Sequence, residues 1–100
     1  MQRLQVPVPV EHTDAVLDLL HDCSGLATLA VLRGASQRPV GDLIVADLAR
    51  ESVDGVVQTL RRLDVDSDGA ISISDVTTSV SAAAEKAERD APGEGADAVI

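Results

Sequence analysis

Apolar residues alternate with other residues at the start of the chain. The apolar positions 4, 6, 8 and 10 are separated by Gln5, Pro7 and Pro9, and a period of two is typical of a half-buried β-strand. Proline cannot donate a hydrogen bond to a neighbouring strand, so Pro7 and Pro9 favour an edge position or a strand whose last residues leave the sheet. We therefore predict a first strand over residues 4–10.

Two later stretches repeat apolar residues at helical spacing instead. The first follows Thr13, which can cap a helix N-terminus, and ends before the Ser24-Gly25 pair. The second follows Ser52 and carries arginines in its last turn, where the helix dipole favours cations. The apolar stripes of the two predicted helices consist of Val16, Leu19, Leu20 and Cys23, and of Val53, Val56, Val57, Leu60 and Leu63.

The remaining patterns predict three more strands. Residues 26–32 and 43–48 are apolar runs on either side of a hairpin loop over residues 33–41, and residues 70–80 are rich in β-branched side chains. The resulting βαββαβ order predicts an α+β fold of the ferredoxin-like type, a sandwich of four antiparallel strands with two helices on one face. Residues 81–90 are rich in Ala and Glu and favour a helix. We therefore predict a domain over residues 1–80 and a helical linker over residues 81–100.

Composition narrows the classes of function. The 100 residues include no Phe, Trp or Tyr, and 17 acidic against 8 basic side chains give a net charge of −9. Phosphate backbones repel an acidic chain, and bases cannot stack on a chain without rings, so nucleic-acid binding is disfavoured. The single cysteine supports neither a disulfide nor a thiolate metal cluster. No stretch approaches 18 consecutive apolar residues, so we expect no membrane span within these residues.

An acidic turn between the second helix and the fourth strand is the sharpest motif. It fits the EF-hand pattern, with carboxylates at loop positions 1, 3 and 5, glycine at 6, a backbone carbonyl at 7, serine at 9 and an acid at 12. An EF-hand also needs a helix after the loop, where this sequence favours a strand, so a turn without metal is the favoured interpretation. The alternative is a calcium site whose ligands are Asp64, Asp66, Asp68, the Ala70 carbonyl, Ser72 and Asp75.

Two other candidate sites have simpler interpretations. Cys23 lies two residues after His21, and residues at that spacing do not face each other on a helix, so no thiolate–imidazolium pair is expected. Neither His21 nor His12 has a metal-ligand spacing. The loop over residues 33–41 brings two arginines and two glycines together and offers an anion cradle, but a hairpin loop is favoured because it lacks a phosphate-binding motif. We therefore predict no catalytic residue and no enzyme.

Several segments of the chain carry a family resemblance. They are Gln2–Pro9, Gly41-Asp42, Ala49-Arg50-Glu51, Asp68–Ser72, Ala84–Arg89, Ala91-Pro92-Gly93 and Asp97–Ile100. In these segments the chain resembles the N-terminal part of a family of uncharacterised bacterial and archaeal membrane proteins, known as domain of unknown function three-eight-nine. The resemblance covers essentially the whole chain, and it implies that residues 81–100 lead into several hydrophobic membrane spans.

The resemblance implies a location and a role, but no reaction and no ligand. It implies a soluble domain of a parent protein in the cell membrane. The unpaired Cys23 fits a reducing compartment, so we expect the domain on the cytoplasmic face. From this we expect a non-enzymatic regulatory, ligand-sensing or assembly domain, whose partners are its own membrane domain and other copies of itself. The alternative function is a calcium-binding module that uses the loop over residues 64–75.

Overall fold

The computed structural model describes residues 1–65, 69–77 and 82–91. Within these residues the elements follow one another as strand, helix, strand, strand, helix, strand and helix. Their bounds are β1 Gln2–Val8, α1 Val10–His21, β2 Leu26–Gln37, β3 Val40–Leu48, α2 Arg50–Arg62, β4 Ser72–Asp75 and α3 Ala82–Asp90.

The four strands form one antiparallel sheet in the order β2-β3-β1-β4. The predicted α+β class with a four-stranded antiparallel sheet is thereby confirmed. Of the two alternatives predicted from the prolines, the edge position is wrong, because β1 lies between β3 and β4. The other agrees with the structure, since β1 ends at Val8, and the predicted last residues 9 and 10 lie outside the sheet. The sheet tolerates Pro7 because the ladder between β1 and β4 ends at the Gln5–Ser72 pair, before the proline is reached.

Alternate residues of the two central strands build the core. Side chains at even positions over residues 4–8 of β1 and 44–48 of β3 are almost completely buried, and they join one cluster with the apolar stripes of α1 and α2. Because only even positions take part, both helices cover the same face of the sheet. The buried members are Leu4, Val6, Val8, Val16, Leu20, Ile44, Ala46, Leu48, Val53, Val56, Leu60 and Val65.

Both helices begin earlier than the sequence predicts. α1 starts after Pro9 and α2 after Ala49, and each of these residues accepts a backbone hydrogen bond of 2.9 Å at the helix start, from His12 and Ser52 respectively. Thr13 and Ser52, predicted as caps, lie inside the helices and are buried. The predictions failed because the packing of the helices turns these hydroxyls towards the interior of the protein.

The predicted loop over residues 33–41 is mostly strand. β2 continues to Gln37 and β3 begins at Val40, so the turn itself contains only Arg38 and Pro39. The ladder between the strands is irregular between Leu32 and Ser36. Gly34 lies in this irregular part with φ 69, a backbone conformation that glycine adopts readily.

The fourth strand is shorter than predicted. β4 covers only residues 72–75 of the predicted 70–80, of which 78–80 lie outside the described residues. Its last pair joins Asp75 to Gln2, the first residue of β1, so the partner strand ends there. The next residue, Val76, donates a backbone hydrogen bond of 3.1 Å to Met1.

The third helix packs where β1 and β2 begin. Ala84 and Ala87 of α3 are buried against Met1, with Ala27 of β2 beside them. The N-terminal ammonium group lies 3.6 Å from Glu88 of the same helix. The division into a domain and a linker at residue 80 stays a prediction. No helix in the described part of the chain is long and apolar enough to cross a membrane.

Candidate functional site

An ion pair lies on the sheet face opposite α1 and α2. Arg3 and Asp47 are directly paired on β1 and β3, and two hydrogen bonds of 2.8 and 3.1 Å join the guanidinium to the carboxylate. The Arg3 bonds, above all, hold the pKa of Asp47 below its ordinary value, against the opposing effect of burial, and Thr28 adds a further hydrogen bond. A carboxylate held in this way is ionised at neutral pH, so the pair joins strands and supplies no proton donor.

A second carboxylate, Asp42, is buried under the N-terminal half of α1. Its oxygens accept hydrogen bonds of 2.8 Å from the Gly34 backbone N–H and 2.7 Å from the Thr13 hydroxyl. Arg33 lies 3.5 Å away. The pKa of Asp42 is below its ordinary value mainly because of the Gly34 bond, then because of Thr13, while burial opposes the shift. This cluster connects α1, β2 and β3, and groups of the protein itself donate the hydrogen bonds that the Asp42 carboxylate accepts.

A groove of about 360 Å³ lies between the end of α1 and the first turns of α2. Ser52 of α2 lines it and is only 9 % exposed. The Ser52 hydroxyl oxygen makes no hydrogen bond to the described part of the chain. The other polar side chains that line the groove include Asp22, Ser24, Glu51 and Thr59. The groove therefore combines acceptor oxygens with one buried hydroxyl for which the described residues supply no hydrogen-bond partner.

The predicted candidates Cys23 and His21 lie at a second cavity. Cys23 follows the end of α1, where it is half-buried and packs against the core. His21 is the exposed last residue of α1. Both line an open cavity of about 540 Å³, and α3 lines its other side with Lys86 and Asp90, which form an ion pair with each other. His12, half-buried in the first turns of α1, lies at the other end of that helix.

The structure describes only part of the predicted calcium loop. Asp66 and Asp68 lie outside the described residues. Asp64 has φ 63, and Ala70 is exposed in the segment before β4. Ser72 and Asp75 are the first and last residues of β4, and the Asp75 carboxylate accepts a 2.9 Å hydrogen bond from the Gln2 side chain.

Metal binding at this loop stays a prediction. The described residues contain no group of three or more His, Cys, Asp or Glu side chains placed to hold a metal ion. Loop positions 9 and 12, Ser72 and Asp75, begin and end a strand, where an EF-hand would start its second helix.

The twelve-residue strand β2 forms one edge of the sheet. It pairs with β3 on one side, and no other strand of the described residues lies along its other side. Leu32 on this strand is 45 % exposed, and Ala30 is exposed as well. An edge of this kind presents backbone groups that can pair with another chain.

Sequence reasoning missed the residues with the most specific contacts. Asp42 and Asp47 belong to an apolar strand pattern, and a carboxylate there signals a buried partner, because an unpaired buried charge is costly. That signal was available in the sequence. The sequence did not identify the partners, since Thr13 lies 29 residues from Asp42 and Arg3 lies 44 residues from Asp47 along the chain.

Comparison with protein-family models, curated proteins and solved structures found no match for this chain.

Proposed function

We propose that this chain is a non-enzymatic regulatory or assembly domain with a ferredoxin-like fold, and that it works by pairing with a second copy through β2. The observation that carries the proposal is the position of β2 at the end of the sheet order β2-β3-β1-β4, where no further strand of the described residues lies beside it. The succession of elements and this strand order support the ferredoxin-like assignment, in which sheets often associate through edges or faces.

The properties of β2 favour pairing between identical strands. The strand is long, and Arg33 is its only charged residue, so two copies can approach with little repulsion. Two identical strands that pair in the antiparallel direction are related by a twofold rotation, so pairing through β2 gives a closed dimer. Natural sheets commonly protect free edges with lysine, and the stretch from Leu26 to Leu32 contains no charge. Leu32 and Ala30 would then become part of the dimer interface.

The cellular setting of the proposal rests on the family resemblance. The chain would precede a multi-span region of a membrane protein, on its cytoplasmic face, with residues 81–100 as the linker. The gene sequence beyond residue 100 checks this part. We expect several spans of about 20 apolar residues there. A sequence without such spans contradicts the membrane setting and leaves the edge pairing to be judged separately.

A lysine on the edge tests the pairing. We expect the wild-type chain to show a concentration-dependent dimer in sedimentation and light scattering, and Ala30→Lys to shift it towards monomer. The matched control is Ala15→Lys, which makes the same change at an exposed alanine of α1. A chain that stays monomeric throughout, or a dimer that Ala30→Lys leaves intact, contradicts assembly through β2.

A further inference from the structure

The sheet face opposite α1 and α2 carries apolar side chains that take no part in the core. Residues paired on neighbouring antiparallel strands point to the same face, so the register aligns these side chains in two rows across β2, β3 and β1. These outer rows are Leu32, Leu43 and Pro7, and Ala30, Val45 and Gln5. No member of either row belongs to the hydrophobic core clusters of the described residues.

The outer rows are most accessible on β2 and have a polar margin at one end. Leu32 is 45 % exposed and Ala30 is exposed, while Val45 on the middle strand is half-buried. The next row along the strands contains the ion pair of Arg3 and Asp47, and α3 packs beyond it, where β1 begins. The apolar part of the face therefore lies away from α3.

The charges of this face favour a second copy of the chain as its occupant. The chain has a net charge of −9, and a large net charge of one sign keeps copies of a protein apart. In the outer rows and the adjacent row, which Thr28 completes, the charged residues are Arg3 and Asp47, and they neutralise each other. Two copies can therefore approach through this face with little repulsion.

The size of the face determines how many copies must contribute. Neighbouring strands lie about 4.8 Å apart and side chains on one face recur about every 6.8 Å, so three rows on three strands cover roughly 300 Å² in projection. A stable interface buries about 800 Å² on each partner. The face of a single copy is therefore too small, although protruding side chains add to its accessible area.

Pairing through β2 enlarges this surface. The twofold axis that relates two antiparallel β2 strands is perpendicular to the sheet, so the outer rows of both copies lie on the same side of one continuous sheet. The joined surface covers roughly 600 Å² in projection, which approaches the size of a stable interface. Leu32 and Ala30, which lie on β2, adjoin the joined edge. Apolar residues therefore lie in the middle of the surface and polar residues at its margins, as in other protein interfaces.

We propose that two dimers of this chain pack face to face through the outer rows and form a tetramer, an inference that rests on the proposed pairing through β2. Sheets that pack in this way lie about 10 Å apart, with their side chains interdigitated. Val45 of each copy enters the contact from the middle strand of the rows. Because Val45 does not lie on β2, its substitution separates the dimers and leaves the β2 edge unchanged.

Sedimentation velocity and light scattering of the full chain test the proposal. We expect a dimer that converts to a tetramer as the concentration rises. Val45→Lys should stop the assembly at the dimer, because each of the four copies would bring an unpaired charge into the contact. Val40→Lys is the matched control, since it makes the same change on the same strand at a residue that is 79 % exposed and outside the outer rows. It should leave the tetramer intact.

The outcomes separate this inference from the proposed function. A wild-type chain that stops at the dimer overturns the face-to-face contact and leaves the pairing through β2 standing, whereas a monomer overturns both. Tetramers that persist in Val45→Lys, or an equal loss of tetramer in Val40→Lys, contradict the assignment to the outer rows.

Val45→Thr distinguishes a lost contact from a folding defect. It keeps the shape of the side chain and should raise the Kd between dimer and tetramer about tenfold, with an unchanged circular dichroism spectrum, because a hydroxyl enters the apolar contact in each copy. An unchanged Kd would also overturn the proposal.

Discussion

The Thr13 hydroxyl donates a hydrogen bond of 2.7 Å to the carboxylate of Asp42, and both residues are buried. The bond joins the first turns of α1 to the start of β3. The same carboxylate accepts a hydrogen bond from the backbone N–H of Gly34, so the Asp42 side chain also holds the irregular part of β2 in place. Three elements that are separate in sequence therefore meet at Asp42.

Removal of the Thr13 hydroxyl tests this connection. Thr13→Val keeps the shape of the side chain and takes one donor from a buried carboxylate, which is costly because water cannot replace the lost donor. We expect the melting temperature to fall by several degrees. Thr59→Val is the control, because the Thr59 hydroxyl donates a hydrogen bond to the backbone carbonyl of Gly55, one turn earlier on the same helix, in an exposed position. Equal effects of the two changes contradict the special role of Thr13.

Acid should weaken the fold through Asp42 and Asp47. Both have pKa values below the ordinary 3.8, so each stabilises the folded state fully above that value, and the contribution is lost as the pH falls through the lowered pKa. The free-energy difference between wild type and Asp47→Asn should therefore be largest near neutral pH and shrink below pH 3.8. Urea unfolding across this range measures it. A difference that does not change with pH contradicts the ionised pair.

Two glycines should respond oppositely to alanine. A β-carbon at Gly41 would lie 2.1 Å from the backbone oxygen of Val8, so Gly41→Ala forces two central strands apart. We expect a loss of about 1–3 kcal/mol in the free energy of unfolding, typical of overpacking.

Gly55→Ala is the companion change. Gly55 lies within α2 with open space around it, so alanine should stabilise the chain by about 0.5–1 kcal/mol through helix propensity. Urea denaturation of both variants gives the comparison. A Gly41→Ala variant with an unchanged free energy of unfolding would contradict the tight approach of Gly41 to the Val8 backbone.

Calcium should leave the stability of the chain unchanged. A ligand present at 100 times its Kd adds about 2.7 kcal/mol to the free energy of unfolding, which a melting curve detects easily. Asp75 already bonds to Gln2 and lies on a strand, so we expect equal melting temperatures in millimolar calcium and in chelator. A calcium-specific increase that magnesium does not produce and Asp64→Asn abolishes would establish the calcium module instead.

The local repeat of apolar residues was enough to identify the main elements. Leu4, Val6 and Val8 alternate along β1, and Val16 and Leu20 recur at helical spacing, and all five are buried as their periods indicate. The ends of the helices were harder to predict, because Thr13 and Ser52 suit an N-cap as well as an interior position of a helix. The cavities depend on how α1, α2 and α3 lie against one another, which no local pattern contains.

The sequence by itself determined the α+β class and the aliphatic core, since burial of apolar surface follows from periods of two and 3.6 residues that neighbouring residues already display. Only the tertiary structure decided which polar residues meet. It paired Thr13 with Asp42 and Arg3 with Asp47, left β2 at the edge of the described sheet, and buried the Ser52 hydroxyl with no hydrogen-bond partner among the described residues. These relationships depend on contacts between distant parts of the chain, and directional bonds form only after the packing has fixed the distances.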